Sequence, residues 1–456
     1  MNVPHVTDLL ALDRDLARAH AAWTKWRRGL AADADASENE APLDRFRHVA
    51  GQSTYEALGE SVPGAGDGLL REGLRRWVYA LLQARIAQPL DVERAKAEAD
   101  RSGHASLPRP HLASWREGWR GILTAAAPAE RASWLAVVTE RGPALGSIER
   151  RREERRLEAE QRMRFEGTDP LFEVPTADLA AAAEALLTRT EDLSRELLAK
   201  ARRRAELEED PPRPTDAIAI AIARDAPEGW PARLAWPWFD EVFGPFTRGL
   251  RLGVVPLPDA LGASSFLRGC GAFGAALRAA GASPSLPFAL AREPEFTAMH
   301  RFACVFGALP ASAAFQRRVL GNVARVADAQ ARVLARTALF EARFEAARFL
   351  LGLDRKPDRF EDVTFRLFGA PLPRPLAGAW PSKRDDGRAR LLGLLTAHPL
   401  SEELVQRFDE DWFANPRAVL HLRAIASGPA RDRAPDPAQL AGAPSALARV
   451  FEGALG

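Results

Sequence analysis

The chain has 456 residues, 46% of them hydrophobic and 27% charged, with 63 Lys and Arg against 61 Asp and Glu. A chain of this size buries a large core and divides into two or three lobes, and so balanced a charge gives no electrostatic case for a nucleic-acid partner. No run approaches about 18 apolar residues and the first eight residues lack the layout of a secretory signal, so the sequence reads as a soluble, cytoplasmic protein with no membrane partner.

Residues 1–207 read as an N-terminal helical lobe. Leu9, Leu12, Leu16, Ala19, Trp23 and Trp26 share a helix face between Asp8 and Leu30. Leu70, Leu74, Trp77, Val78, Leu81 and Leu82 make a second apolar face over 69–86. Two further helices begin at Trp115 and pass through Trp134 to Val138. From Ile148 to Arg164 the charges alternate in sign, so i,i+4 pairs neutralise one another, and the stretch reads as a solvated helix face. The longest expected helix runs from Ala177 to Glu209 with Thr176 as its cap, and Pro211, Pro212 and Pro214 break it. That break is the expected boundary with a second helical lobe, 215–456, whose one expected strand is 250–257, β-branched at its centre.

Only five of the 63 basic residues are lysine, which together with the abundant alanine reads as the codon preference of a GC-rich bacterial genome. Arginine number is therefore a poor binding signal here. The two cysteines, Cys270 and Cys304, sit in apolar surroundings and read as buried small hydrophobes.

The most informative stretch is 263–280. Phe266, Cys270, Phe273 and Leu277 recur at helical spacing and form a core face, and Gly269, Gly271, Gly274 and Ala275 form a small one. This helix is expected to pack against the one containing Phe302. Its profile resembles the active-site helix of the thimet oligopeptidase and oligoendopeptidase F family of zinc peptidases, whose H-E-x-G-H-A-L-H motif overlies 271–278. Gly274, Ala276 and Leu277 match it. Gly271, Ala272 and Ala275 stand where the two histidines and the glutamate belong, and carry no ligand atoms.

The resemblance continues in order through 170–425. The segment 183–198 is similar to the family's helix leading into the second lobe, and 225–244 to the approach to its small sheet. The segment 296–309 is similar to the helix that supplies the third zinc ligand, which falls at Ala298, or at His300 in a register shifted by two. Residues 315–321, 331–353 and the Asp-Trp-Phe-Ala-Asn-Pro segment at 411–416 complete the series. The alternative is an unrelated all-helical protein with alanine-rich helices.

The resemblance implies a mostly α, two-lobed, gluzincin-like architecture with a small residual β element. It also implies a lost zinc site, no cofactor and no catalysis by the family's route. A pseudo-peptidase of this kind is expected to act as a peptide- or protein-binding or scaffold module, with His300, Arg268 and Arg278 as ligand contacts around a former pocket lined by Gly271, Ala272 and Ala275. The alternative is a hydrolase with a non-standard active site. Among the eight histidines no i,i+4 pair exists, and His300 with Glu293 and Glu295 is the nearest cluster to a metal set. Ser264 and Ser265 read as a helix N-cap rather than a nucleophile.

Overall fold

The computed structural model describes residues 8–32, 41–59, 68–101, 113–162, 174–207, 212–222, 236–252, 262–381, 386–430 and 436–456. Seven α-helices precede the expected boundary: α1 (Leu9–Ala32), α2 (Gln52–Gly59), α3 (Gly68–Ala99), α4 (Trp115–Thr124), α5 (Pro128–Arg162), α6 (Thr176–Arg189) and α7 (Glu191–Arg204). Then come α8 (Pro214–Ile222), α9 (Trp236–Thr247), α10 (Ala263–Gly281), α11 (Phe288–Ala291), α12 (Thr297–Ala308) and α13 (Ala313–Arg318). The chain closes with α14 (Ala324–Leu353), α15 (Pro357–Phe368), α16 (Gly387–Phe408), α17 (Pro416–Ser427) and α18 (Pro437–Leu455). The fold is mostly α, with no strand among the described residues. Of the strand expected at 250–257, residues 250–252 are irregular and 253–257 lie outside the described residues, as do 225–235 of the segment before it.

The helix expected over 177–209 is two helices. Thr190, at φ −103°, separates α6 from α7. The break is held from outside: the guanidinium of Arg343 in α14 donates to Leu187 O at 2.7 Å and to Thr190 Oγ1 at 2.6 Å. Pro175, not Thr176, is the N-cap of α6, and the Thr176 hydroxyl instead accepts from Arg388 Nη1 at 2.8 Å. Conversely, the helix read through Val138 and the charged run beyond it are one continuous helix, α5.

Among the described residues three large apolar cores, beside a small one around Leu30 and Ala95, organise the bundle. One joins α4, α5, α6 and α8 to α14, α15, α16 and α18, so it draws on both sides of the boundary at 207–215. A second gathers α9, α10, α12 and α17 around the C-terminal half of α16. The third packs α1, α2 and α3 together with Ala289 of α11. Both α14 and α16 run through the first two cores, Leu334 and Leu404 lying in one and Leu339 and Leu391 in the other.

The expected face of α10 is realised: Phe266, Cys270, Phe273 and Leu277 are all buried. Phe273 stacks on Phe243 of α9 at 4.8 Å between ring centroids and meets Phe306 of α12 edge-on at 5.5 Å. Such aromatic pairs add about 0.5–1.5 kcal/mol each beyond the area they bury. The small face packs against α12, where glycine permits backbone contact: a methyl on Gly271 would stand 3.0 Å from Ala303 O, and one on Gly307 3.3 Å from Leu267 O. The 411–416 segment closes this core, with Trp412 edge-on to Phe306 at 5.7 Å and Asn415 capping α17 by accepting from Arg417 N at 3.0 Å.

Candidate functional site

Between α3 and α5 on one side, and α14 and the start of α16 on the other, the packing leaves a cleft of about 430 Å3. Its third wall is the turn carrying Pro294, Glu295 and Phe296, with His20 and Trp23 of α1 beside it. The volume falls in the range of small-ligand pockets, roughly 300–1,000 Å3. Five arginines line it, Arg76, Arg152, Arg156, Arg348 and Arg388, against three glutamates, Glu149, Glu153 and Glu295.

The third wall is built by local capping and by an aromatic cluster. Glu293 Oε1 accepts from Ala298 N at 2.6 Å, tying the turn to the first turn of α12. Phe296 is left-handed, at φ 63°, a conformation costly for a residue with a β-carbon. Its ring lies 6.1 Å from Trp77 and 5.9 Å from His20, and the Trp77 indole donates to Arg292 O at 2.7 Å. His20 and Trp77 are edge-on at 4.9 Å. Burial, reinforced by Arg292, pulls the imidazole of His20 down to about 4, so it is neutral at physiological pH.

Two helices start at the cleft. Thr176 opens α6 and Gly387 opens α16, and the Arg388 to Thr176 hydrogen bond links the two starts. Helix N-termini present unpaired N–H groups and the positive end of the backbone dipole. Glu295 stands near Arg388 and Arg76; burial outweighs both and pushes its carboxyl up to about 8. On the opposite wall the charged run of α5 is not simply solvated, as its composition suggested. Glu149 pairs with Arg94, Arg156 with Glu153, and Arg152 with Asp91 at 3.6 Å. Tyr79 donates to the buried Glu160 at 2.8 Å, and burial raises its phenol.

A half-buried polar cluster continues from the cleft between α12, α14 and α16. His300 Nε2 lies 3.4 Å from Asp386 Oδ2, which also accepts from Arg390 Nε at 2.9 Å. Arg390 and Arg348 both approach Glu345, at 3.8 and 3.4 Å. Burial holds His300 below its ordinary value, against the opposing pull of Asp386. Cys304 is pushed up to about 12 chiefly by burial, and the thiol of Cys270 is likewise raised, so neither is a poised nucleophile.

The residues singled out in the sequence are dispersed. Gly271, Ala272 and Ala275 do not line the cleft; Gly271 lies on the α12 backbone, because the absence of side chains lets the two helices close on one another. Ala298 is buried at the start of α12. Arg268 reaches Glu341 of α14, Nη2 to Oε2 at 2.9 Å, and Ser264 donates to the same carboxylate at 2.5 Å. Arg278 donates to Ala426 O at 2.9 Å and Gly428 O at 3.2 Å, capping the end of α17. Gly262, rather than either serine, is the N-cap of α10. His300 lies 3.4 Å from Asp386, the residue before the cleft-lining Gly387 and Arg388, and does not itself line the cleft. Among the described residues no group of three or more His, Cys, Asp or Glu side chains is placed to hold a metal ion. Glu293, Glu295 and His300, adjacent in sequence, turn to a cap, the cleft and Asp386 respectively.

What sequence reading missed is the cleft set itself: Arg76, Trp77, Arg152, Arg348 and Arg388. Only Glu295 carried a signal, through its proximity to His300. Among the described residues no helix is long and apolar enough to cross a membrane. No protein-family model, curated protein or solved structure matches this chain.

Proposed function

We propose that the chain is a non-catalytic binding module that holds a peptide or the tail of a protein partner in the cleft between its N-terminal helices and α14 and α16. The carrying observation is the cleft of about 430 Å3 with five arginines in its lining. Arginine offers charge-assisted, often bidentate hydrogen bonds to carboxylates, and the apolar part of the lining supplies desolvated contact area. In this reading the molecule is a two-lobed relative of the zinc oligopeptidases in which Gly271, Ala272 and Ala275 replace the catalytic set. Without ligands there, carbonyl polarisation and water activation by zinc have no local basis. The reading is tested by titrating the full chain with short N-acetylated peptides of acidic, basic and apolar sequence, beside a cleavage assay with and without added zinc. Binding without cleavage supports it. Zinc retained stoichiometrically, and lost in His300→Ala, would overturn it.

A second reading, a hydrolase with a non-standard site, is favoured by one observation, the raised carboxyl of Glu295 in the cleft. A protonated carboxylic acid at neutral pH is suited to general-acid work. Turnover of any ester or amide substrate that disappears in Glu295→Gln would put this reading first.

A further inference from the structure

The lining of the cleft pairs charge with aromatic surface at neighbouring positions. Arg76 and Trp77 are consecutive in α3, Glu295 and Phe296 are consecutive in the third wall, and all four line the same space. Trp77, Phe296 and His20 form one aromatic cluster, with centroids 4.9 to 6.1 Å apart. Arg388 approaches Glu295 from α16 and ties the starts of α6 and α16 together. Because Arg76, Arg388 and the Phe296 ring line one space of only about 430 Å3, the cleft favours a ligand whose negative group and ring are separated by only a few bonds.

We infer that the cleft recognises a carboxylate carried close to an aromatic ring, with Arg76 and Arg388 facing the carboxylate and the half-buried Phe296 ring, backed by the fully buried Trp77, facing the aromatic group. This deepens the binding reading above and rests on the same cleft. A peptide ending in a free-acid phenylalanine has this chemistry, and so does a small arylalkanoate. The glutamates on the α5 wall do not compete for the ligand's position, because Glu149 is paired with Arg94 and Glu153 with Arg156. Glu295 is the remaining acid of the lining, and its raised value leaves it largely neutral at pH 7, so it adds little repulsion to an incoming carboxylate.

The experiment uses the full chain at pH 7 and four probes: N-acetyl-Ala-Ala-Phe as the free acid, the same peptide as its amide, N-acetyl-Ala-Ala-Ala as the free acid, and 3-phenylpropionate. Trp23 and Trp77, both in the lining, provide a fluorescence signal beside calorimetry. Amidation, and separately replacement of phenylalanine by alanine, are each expected to weaken binding about tenfold or more, as the loss of one charge-assisted contact or one buried ring implies. Gly352→Phe tests the location without threatening the fold, since a β-carbon at this α14 position in the cleft lining meets nothing within 4 Å. It is expected to abolish binding with an unchanged melting temperature. Arg388→Met is expected to shrink the acid-to-amide difference to within about threefold, because one of the two cations is gone.

Tight binding of all three peptides with no dependence on the end group or the ring would overturn the inference while leaving the peptide-binding reading standing. Binding of 3-phenylpropionate but of no peptide would support the inference and overturn the peptide reading. Binding that survives Gly352→Phe, or no binding of any probe, would overturn the inference.

Discussion

Gly274 of α10 lies directly on the carbonyl of Phe302 in α12: a methyl group on its α-carbon would stand 2.5 Å from that oxygen and 2.9 Å from Phe306 Cβ. Neither obstacle is the end of a flexible side chain, so the helices would have to separate. Gly274→Ala is therefore expected to destabilise the fold by about 1–3 kcal/mol, despite alanine's better helix propensity. Gly352→Ala, where the added methyl meets open space, is the control and is expected to gain up to about 1 kcal/mol. Urea denaturation of the two variants gives shifts of opposite sign if the contact is as described.

Arg343 is fully buried in the core of α14, and its guanidinium donates to Leu187 O, to Thr190 Oγ1 and, at 2.7 Å, to Arg366 O. Burial pulls its ionisation down to about 10, still well above neutral pH. Arg343→Met leaves acceptors at the junction of α6 and α7 without their donor, and is expected to cost about 3–5 kcal/mol. Arg343→Lys keeps the charge but not the planar fork that reaches three acceptors, and should recover less than half of the loss. Equal stability of both variants with the parent would show that the junction is held by other contacts.

His20 links stability to pH. Its folded value of about 4 lies below the ordinary 6.5, so the unfolded chain takes up the proton first as pH falls. No contribution arises above about pH 6.5; stability is lost between about 6.5 and 4, by about 2 kcal/mol at pH 4.5. His20→Phe should lose less stability than the parent over that interval, measured as the difference in unfolding free energy at pH 7 and pH 4.5. A variant with the parent's full acid dependence would place the titrating group elsewhere.

Glu295 acts with the opposite slope. Its folded value of about 8 lies above the ordinary 4.5, so the folded state keeps the proton longer. The stabilisation is whole below about pH 4.5 and is lost as pH rises toward 8, a change on the order of 2 kcal/mol or more. The groups acting on it are Arg388 and Arg76, which favour ionisation, and Glu293 and Asp386, which oppose it. Glu295→Gln should therefore be more stable than the parent at pH 8 and close to it at pH 4.5. A penalty at both pH values would mean that the carboxyl is ionised in the folded protein.

The helical class, the extent of α1 and the buried face of α10 were all legible in the sequence, because each depends on apolar residues recurring along a few local turns. The packing of α10 against α12 followed from two such faces with glycine between them. The charge balance within α5 was local too, as the pairing of Arg156 with Glu153 and Glu160 shows.

Local signals misled where a distant residue intervened. The helix that periodicity carried unbroken to Glu209 stops at Thr190, where Arg343 of α14 holds the junction. Helix α3 runs on past Pro89 to Ala99 with that proline on its solvent side, where a carbonyl that loses its helix donor can turn to water. The cleft was illegible for the same reason. Arg76, Glu295 and Arg388 belong to separate helices and a turn; the two arginines read as ordinary surface charges in their own segments and Glu295 only as a neighbour of His300, and their mutual field exists only after α3, α14 and α16 have packed. Spacing along the chain determines which residues share a helix face. Which faces meet, and so which charges come together out of water, was decided by tertiary packing.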